Sequence, residues 1–380
     1  MGASLACALK EQNLTVSLID KVVFSDPKPC DFLDARALAL SPTSIQILTA
    51  INIWHQLAAE AEPIVEIQIS KQGRWSKTRL RAKEHQLPAL GYVVNADRLN
   101  QVLNQSLETI PNLECFCPNA INHLFRNEKE NTWTIQLNGG KTVTTNLLVS
   151  AEGSGSYLRK HLGIEAKIYD YHQTAMVLNI ELEQAHQGIA YERFTDTSSL
   201  ALLPFGENRV KCVWALPTET IRALEKLSDD VLLREIQENF GYQLGQFVKL
   251  GRRVFYPLQS VQAESLYGDR TVFIGNAANT VHPVAAQGFN LGLRDVATLA
   301  ERLVSAKKST QDIGAVELLG AYANLRQNDH LKVLRFTHCL AEPGILQWLG
   351  ILACESLPSF KRWVTKQGLG DVKVKINKNG

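Results

Sequence analysis

The stretch from Gly275 to Asn290 carries the residues best suited by type and spacing to bind a ligand. A buried strand, Thr271 to Ile274, runs into the small residues of Gly275 to Asn279, which let a ligand approach the backbone closely. Gly288 stands just before a long helix predicted from about Leu291 to Leu303. The first N–H groups of a helix lack intrahelical partners and lie at its positive end. This segment therefore predicts a site for an anion or a carbonyl oxygen.

A second candidate site lies at the N-terminus, where a predicted helix over Gly2 to Leu9 precedes the β-branched strand Leu14 to Asp20. A helix and then a strand that ends in an acid is typical of the second half of a dinucleotide-binding βαβ unit. Asp20 follows Gly2 at roughly the 20-residue spacing that separates the last fingerprint glycine from the ribose-binding acid. The alternative is an ordinary helix and strand with a solvated acid. If Gly2 is the last fingerprint glycine, we expect the first strand of the unit to be missing from this sequence.

The elements that must position these residues follow from the hydrophobic pattern. Alternation over residues 170–260 predicts a mostly antiparallel sheet, interrupted by a helix from roughly Ser228 to Glu238. Asn138 to Gly140 predicts a hairpin turn. Leu147 to Ser150 predicts a buried strand that ends at the glycine-containing segment Ala151 to Gly155. The chain is therefore expected to combine an α/β part with an antiparallel sheet.

Composition excludes several classes of protein. The 380 residues include 45% hydrophobic and 21% charged residues, which are ordinary values for a globular protein. A net charge of +2 gives no basic field for nucleic acid. The seven cysteines lack metal-ligand spacing, so we expect reduced thiols and no metal site. No secretory signal and no apolar run of about 18 residues is present, which favours a cytoplasmic protein.

Taken together, these motifs resemble those of the flavin-dependent aromatic hydroxylases of the para-hydroxybenzoate hydroxylase type. The resemblance covers the whole chain, because Gly2 with Asp20, Ala151 to Arg159, and Gly275 to Gly292 match three family motifs in order. The closest resemblance within the family is to its ubiquinone-biosynthesis branch, the 2-polyprenyl-6-methoxyphenol hydroxylases, which often carry Asn where Asn276 stands. Further matching segments are Asp34 to Ala37, Gly91 to Val94, Glu192 to Thr195, Leu202 to Pro204, and Arg294 with Asp295. Two positions depart from the family: Glu152 replaces the usual Asp, and Ala286 stands where Gly is common.

The resemblance implies an α/β fold, in which an FAD-binding Rossmann-like domain of the GR2 type is interleaved with an α+β substrate domain. The implied domain ranges are 1–62, 92–168 and 268–335 for the FAD-binding domain and 63–91 and 169–267 for the substrate domain. A helical segment is expected over residues 336–380. The implied activity is a monooxygenase that hydroxylates a polyprenylated phenol in ubiquinone biosynthesis. In that chemistry NAD(P)H reduces FAD, O₂ adds at the flavin C4a, and the resulting hydroperoxide transfers oxygen to the ring.

The same resemblance assigns roles to the candidate site residues. Asp20 would bind the adenosine ribose, Arg36 the pyrophosphate or flavin, and Arg98 another part of the cofactor. The alternative for each arginine is a surface contact. Asn276 would bind the ribityl chain or a phosphate oxygen. The backbone N–H groups of Gly288, Phe289 and Asn290 would face the flavin N1–C2=O edge. The other cofactor-binding candidates are Gly2, Glu152, Gly153 and Gly275.

Several alternatives stay open at this stage. Pro283 is expected to shape the reaction cavity, whereas His282 is either a packed structural residue or, less favoured, a base. Phe255 to Leu258 could line the substrate pocket or belong to the core. The C-terminal segment could dock on the core, or it could contact the inner membrane or a ubiquinone-synthesis complex at its surface. The competing functions are a flavin hydroxylase of a small soluble phenol and a truncated, non-catalytic flavin-fold protein that binds lipid or partners.

Overall fold

The computed structural model describes residues 1–23, 32–73 and 77–342 of the chain. Its strands, numbered in chain order, are β1 Val16–Ile19, β2 Ala37–Leu40, β3 Glu62–Ile64, β4 Glu66–Lys71, β5 Lys77–Arg81, β6 Gly91–Asn95, β7 Leu113–Phe116, β8 Ile121–Asn127, β9 Thr132–Leu137, β10 Thr142–Thr145, β11 Leu148–Ser150, β12 Ala166–Leu182, β13 Ile189–Phe194, β14 Ser199–Pro204, β15 Arg209–Pro217, β16 Phe247–Leu250, β17 Val254–Ala263, β18 Tyr267–Gly268, β19 Thr271–Phe273 and β20 Asn279–Thr280. Its α-helices are α1 Gly2–Ala8, α2 Pro42–Ala50, α3 Ala96–Leu107, α4 Tyr157–His161, α5 Thr218–Leu224, α6 Asp229–Phe240, α7 Gln287–Lys308 and α8 Val316–Ala341. Of the predicted C-terminal segment, residues 343–380 lie outside the described part. Within the described ranges, none of the helices is both long enough and apolar enough to cross a membrane.

A nine-stranded sheet forms where the alternating pattern predicts strands. Its order is β20-β17-β12-β15-β14-β13-β4-β5, and β16 also pairs with β12. The pairing is antiparallel except between β13 and β4, which confirms the predicted mostly antiparallel sheet. One face, which carries Leu178, Leu202 and Trp214, packs against α5 and α6 in a hydrophobic core. Because side chains alternate along each strand, the other face is left to line the cavity described below.

Parallel pairing brings two of the predicted motifs to one edge of a smaller sheet. β11 pairs in parallel with β19, in the register Leu148 with Thr271 through Ser150 with Phe273. The segments that begin at Ala151 and at Ile274 follow these strands directly, so both lie beyond the carboxyl edge where open α/β sheets bind ligands. β1 pairs in parallel with β7, and α1, α3 and α7 pack with these strands into one core. The predicted α/β class with a Rossmann-like part is therefore confirmed.

Three local features also follow the sequence. β9 and β10 form the expected hairpin, in which Gly139 and Gly140 adopt φ values of +87° and +85°. Helix α2 is capped by Ser41, whose hydroxyl accepts the Ser44 N–H, and it begins with a proline. β2 pairs antiparallel with β6, which sets the start of β2 beside the N-terminus of α3.

Candidate active site

A cavity of about 1260 Å³ gathers many of the predicted site residues. The predicted residues that line it are Gly153, Gly275, Asn276, His282, Pro283, Gly288, Phe289 and Asn290. Its remaining walls are β2 with Ser41, the free face of the nine-stranded sheet, and the last turns of α8. Residues distant in sequence thus converge on one space, as the resemblance implies for a cofactor and a substrate that must meet.

Helix α7 begins at this cavity with exposed backbone donors. No side chain among the described residues caps the helix, so the first-turn N–H groups, including those of Gly288 and Phe289, face the cavity at the positive end of a 22-residue helix. Ala285 and Ala286 precede it with φ values of 64° and 50°. This left-handed conformation costs an alanine about 1–2 kcal/mol. The loop is therefore strained, because neither residue is a glycine.

Asn290 fixes the position of the helix start through its side chain. Its Oδ1 accepts the Ser41 N–H at 2.8 Å and the Ser44 hydroxyl at 2.6 Å. Its Nδ2 donates to the carbonyls of Ala39 at 3.0 Å and Ala286 at 2.7 Å. The buried amide therefore joins α7 to β2 and α2, a role that the sequence did not reveal. Its predicted backbone role toward the flavin stays a prediction.

Gly275 is held by a buried ionic network. It has a φ of +60°, and its N–H donates to Asp295 at 2.9 Å. The same carboxylate accepts hydrogen bonds from Arg326 at 2.7 Å and His330 at 2.6 Å, both on α8. Burial opposes ionisation of Asp295, but His330 and Arg326 overcome this effect and lower the pKa of Asp295 to about 2. A charged, fully buried carboxylate thus anchors the loop that follows β19.

Glu152 and Arg159 order the second glycine segment. The Glu152 carboxylate accepts the hydroxyls of Ser150 and Ser156 at 3.0 and 2.6 Å, and the Leu158 N–H at 3.2 Å. Glu152 thus binds the N-terminus of α4. Arg159 is buried and donates to the carbonyls of Ser154 at 2.7 Å and Ala277 at 2.8 Å. These two bonds tie the segment around Gly153 to the segment around Gly275.

His282 is a buried neutral residue in this structure. Its Nδ1 accepts the Val284 N–H at 3.2 Å, which leaves Nε2–H to donate to Gln173 at 3.3 Å. Burial lowers the pKa of His282 to about 4, so its ring is uncharged at neutral pH. Both ring nitrogens are occupied, which supports the packed structural role over the role of a base. Pro283, beside it, is exposed to the cavity.

Gly2 and Asp20 lie outside the cavity, at the N-terminal end of α1 and the end of β1. A Cβ added at Gly2 would lie 3.2 Å from the Leu18 side chain on β1, so this glycine permits close packing of helix on strand. That is the role of the last glycine of a dinucleotide fingerprint. Asp20 is exposed, and its Oδ1 accepts the Val22 N–H at 2.9 Å. Its carboxylate also acts on the buried Met1 amino group: burial lowers the pKa of that group, and Asp20 partly offsets the shift.

Arg36 and Arg98 lie together at the edge where β2 meets α3. Arg36 is exposed and forms an ion pair with Asp97. Arg98 pairs with Glu60 at 3.3 Å and donates to Gln101 at 2.9 Å. Both therefore form the surface contacts that the sequence left open as alternatives. The Arg36 side chain is 65% exposed and the Arg98 side chain 31%, and their cofactor roles stay predictions.

Two ionisable residues on the cavity wall were not among the predicted site residues, although Glu192 begins a segment that matches the family. Glu192 on β13 and Lys211 on β15 project from the sheet face that lines the cavity. Burial raises the pKa of Glu192 to about 7 and lowers the pKa of Lys211 to about 8. The Lys211 ammonium donates to the Ala37 carbonyl on β2. A charged residue within the otherwise apolar strand Val210 to Leu216 was the signal available in the sequence.

The alternative that placed Phe255 to Leu258 in the substrate pocket is wrong for the described structure. None of these residues is among those that line the cavity. They lie on β17, on the side of β12 away from the cavity strands β13 and β14. Phe255 packs against the core beneath the sheet, and Tyr256 is exposed.

The residues present fit a bound flavin. A Cβ added at Gly288 would have only Val281 within 4 Å, at 3.8 Å, and one at Gly153 would have no neighbour within that distance. Both backbones are therefore open to close approach by a planar ring or its ribityl chain. The positive end of α7 suits the negative charge that reduced flavin carries at N1–C2=O.

Comparison with known proteins identifies the family of this chain. The family described as FAD binding domain matches residues 1–337. Ubiquinone hydroxylase UbiL of Rhodospirillum rubrum is 34% identical, over 98% of this chain and 88% of the relative. The 3-demethoxyubiquinol 3-hydroxylase of Escherichia coli is 28% identical, over 97% and 96%.

Solved structures agree on the fold. PqsL of P. aeruginosa in complex with 2-aminobenzoylacetate has a TM-score of 0.78 at 19% identity and covers 92% of this chain and 96% of its own. The p-nitrophenol 4-monooxygenase PnpA of Pseudomonas putida has a TM-score of 0.75 at 14% identity, over 98% and 96%. At these identities the structures speak for the fold alone. From the family match and the relative above 30% identity, the chain belongs to the FAD binding domain family, among its flavoprotein monooxygenases.

Proposed function

We propose that this protein hydroxylates the aromatic ring of a polyprenylated phenol in ubiquinone biosynthesis, with FAD as cofactor and NAD(P)H and O₂ as co-substrates. The names of the Rhodospirillum rubrum and Escherichia coli relatives support this substrate class. The observation that carries the proposal is the cavity. It joins the polar backbone of the Gly275 and Gly288 segments to a largely apolar sheet wall of Ile67, Ile69 and Leu203. A ligand that is polar at its ring and apolar in its chain matches these two walls.

FAD would be held in two parts. Asn276 and the N–H groups of Gly288, Phe289 and Asn290 would hold the ribityl chain and the flavin edge, with Gly153 allowing close approach. Gly275 would contribute through its backbone, since a Cβ there would lie 2.8 Å from the Met1 side chain. Asp20, Arg36 and Arg98 would hold the adenosine and pyrophosphate. The domain division predicted from the sequence belongs to this proposal: 1–62, 92–168 and 268–335 would bind FAD, and 63–91 with 169–267 would bind substrate.

When bound, FAD supplies the two-electron reduction of O₂ that ring hydroxylation requires. The protein's own residues orient the ring and exclude water. Phe194 of the sheet wall belongs to one buried apolar cluster with Val284 of the loop before α7 and Ala341 of α8. Removal of water strengthens the interaction of the α7 dipole with developing negative charge.

The cytoplasmic location, with peripheral contact to the inner membrane or to a ubiquinone-synthesis complex, belongs to the same proposal. A substrate with a long apolar chain resides in the membrane, so its enzyme must approach the bilayer surface. Vesicle co-sedimentation of the whole protein, with and without residues 344–380, tests this step. Equal sedimentation of the two forms would show that the C-terminal segment is not needed for membrane contact.

The test of the function is hydroxylation by the FAD-reconstituted protein. We expect a short prenylated phenol to stimulate NAD(P)H oxidation and to yield a product one oxygen atom heavier by mass spectrometry. Gene deletion should cause accumulation of a quinone precursor that lacks one ring hydroxyl. Preference for an unprenylated phenol would indicate a soluble-phenol hydroxylase. Protein that neither binds FAD nor oxidises NAD(P)H would indicate a binding protein.

The apolar wall offers a variant that tests the prenyl chain separately. Leu80 lies on the cavity face of β5, opposite Ile67, so Leu80→Phe should narrow the space beside Ile67 and raise the KM for the prenylated phenol. The unprenylated phenol should be affected less. Ala59→Phe, at an exposed position outside the lining, is the control. An equal change for both phenols would place the prenyl chain elsewhere.

A further inference from the structure

Glu192 is an ionisable side chain whose presence in the cavity wall is not explained by the packing around it. In the register of the sheet, Ile69 of β4 and Ala201 of β14 lie directly beside it. Ala190 and Phe194 flank it on the same face of β13. Among the described residues, no hydrogen bond or ion pair reaches its carboxylate, and burial is the sole cause of its altered ionisation. A carboxylate embedded in an apolar wall without a partner destabilises a fold, which points to a role in function.

The neighbours of Glu192 place it between the two segments that face the flavin site. On one side, Phe194 shares a buried apolar cluster with Val284, which lies in the loop before α7. On the other side, Ala190 packs with Ala37 of β2, whose residues also line the cavity. A ring lying between these segments and the sheet would therefore present its substituents to Glu192.

We propose that Glu192 accepts the proton of the substrate's phenolic hydroxyl, a role that rests on the proposed function. The phenol O–H bond breaks, a new O–H bond forms on a Glu192 oxygen, and the electron pair stays on the phenol oxygen. The resulting negative charge increases the electron density of the ring that receives oxygen. The proton returns to a ring oxygen of the product, so Glu192 is ionised again and no net proton is consumed at this residue.

The acid–base properties of the wall agree with this role. Burial raises the pKa of Glu192 to about 7, and a general base acts best when its pKa lies near the working pH. The other titratable or charged groups lining the cavity are the Met1 amino group, Tyr191, Lys211, His282, Lys332, Arg335 and Cys339. Lys211 donates to the Ala37 carbonyl, and both ring nitrogens of His282 are occupied. At the end of β4, which pairs with β13, Lys71 forms an ion pair with Asp196 at 3.0 Å.

The experiment compares binding of 2-prenylphenol and its O-methyl ether to the FAD-loaded enzyme, followed by flavin absorbance across pH 5.5–8.5. We expect the wild type to prefer the phenol by about 10- to 100-fold above pH 8, the range for a hydrogen bond to an ionised group. The preference should decline as the pH falls through about 7, because protonated Glu192 can donate to either oxygen. Glu192→Gln should lose this pH dependence and lower kcat by about 10²-fold, the lower range for a general base.

Glu207→Gln, an exposed carboxylate in the β14–β15 turn, is the matched control and should behave as the wild type. Glu192→Gln is isosteric and removes a buried charge, so it should fold. If the wild type hydroxylates the phenol while Glu192→Gln keeps both its kcat and the pH-dependent preference, the inference is overturned and the proposed function stands. If the wild type neither binds nor hydroxylates any phenol, the proposed function falls and the inference with it.

Discussion

Replacement of Asp295 by Asn should strongly destabilise this protein, because it removes the anion at the centre of a buried network. Asp295 receives the Gly275 N–H and faces Arg326, whose side chain is 2% exposed. Asp329 pairs with both Arg326 and Arg294, so the variant would keep two buried cations and a single carboxylate. Breaking a buried ion pair costs about 3–5 kcal/mol. That is a large share of the roughly 5–15 kcal/mol by which a domain is stable.

The pH dependence of the unfolding free energy gives a second, independent measure of the contribution of Asp295. The pKa of Asp295 in the folded protein is about 2, below its ordinary value of 3.8. A depressed folded pKa contributes stability that is present above the ordinary value and lost as the pH falls toward 2, here about 2 kcal/mol. The difference in unfolding free energy between wild type and Asp295→Asn should therefore be largest near neutral pH and shrink by about 2 kcal/mol in acid.

Urea denaturation of the two apoproteins at pH 7 and at pH 3 measures both quantities. About 1 kcal/mol of the difference should be lost by pH 3, because this pH lies midway between the folded and the ordinary pKa of Asp295. Asp196→Asn is the control, since Asp196 also pairs with a cation but its side chain is 91% exposed. An exposed pair is worth about 1 kcal/mol or less, so the control should stay near the wild type. An Asp295→Asn variant within about 1 kcal/mol of the wild type at pH 7, or a gap that widens in acid, would refute the reasoning.

Two further predictions concern the cavity. Gly288→Val should weaken FAD binding at least tenfold, about 1.4 kcal/mol, while leaving apoprotein stability nearly unchanged. A Cβ at this position has space beside Val281, at 3.8 Å, in the apoprotein, and it would enter the proposed flavin site. Flavin fluorescence titration measures the FAD affinity, and an unchanged affinity would show that the start of α7 does not contact the cofactor. The unfolding free energy of the wild type should fall by up to about 3 kcal/mol as the pH falls from about 6.5 to 4, and His282→Asn should lack this decrease. The folded pKa of His282 is about 4, below its ordinary 6.5, so only the unfolded chain takes up a proton in this range; identical acid sensitivity in denaturation experiments would contradict this.

Residues whose roles depend on local backbone geometry could be predicted from the sequence. Gly275 and Gly288 follow a strand or begin a helix, and such positions are visible in the order of small and apolar residues. Gly139 and Gly140 mark their hairpin in the same way. Gly2 also belongs here, since its close approach to Leu18 is the packing that its place in the fingerprint implies.

Glu192 and Lys211 could not be identified in the same way, because alternation reports only that two faces of a strand differ. A polar residue on the second face is normally solvated. Here β2, the loop before α7 and the end of α8 cover that face, and they come from distant parts of the chain. The burial that shifts the pKa of each residue is therefore a product of tertiary structure. The sequence also left open whether Phe255 to Leu258 line the pocket or belong to the core, and the structure places them on β17, outside the cavity lining.

The motif from Gly275 to Asp295 combines two kinds of residue that a sequence match cannot separate. Gly288 and Phe289 offer backbone donors to the cavity. The side chains of Asn290 and Asp295 instead form hydrogen bonds within the protein. Asn290 bonds to β2 and α2, and Asp295 bonds to the Gly275 N–H and to α8. Both groups are equally necessary to the motif, because the donors face the cavity only while the side chains hold the strained loop. A substitution at Asn290 or Asp295 should thus alter FAD affinity and stability together, whereas one at Gly288 should alter affinity alone.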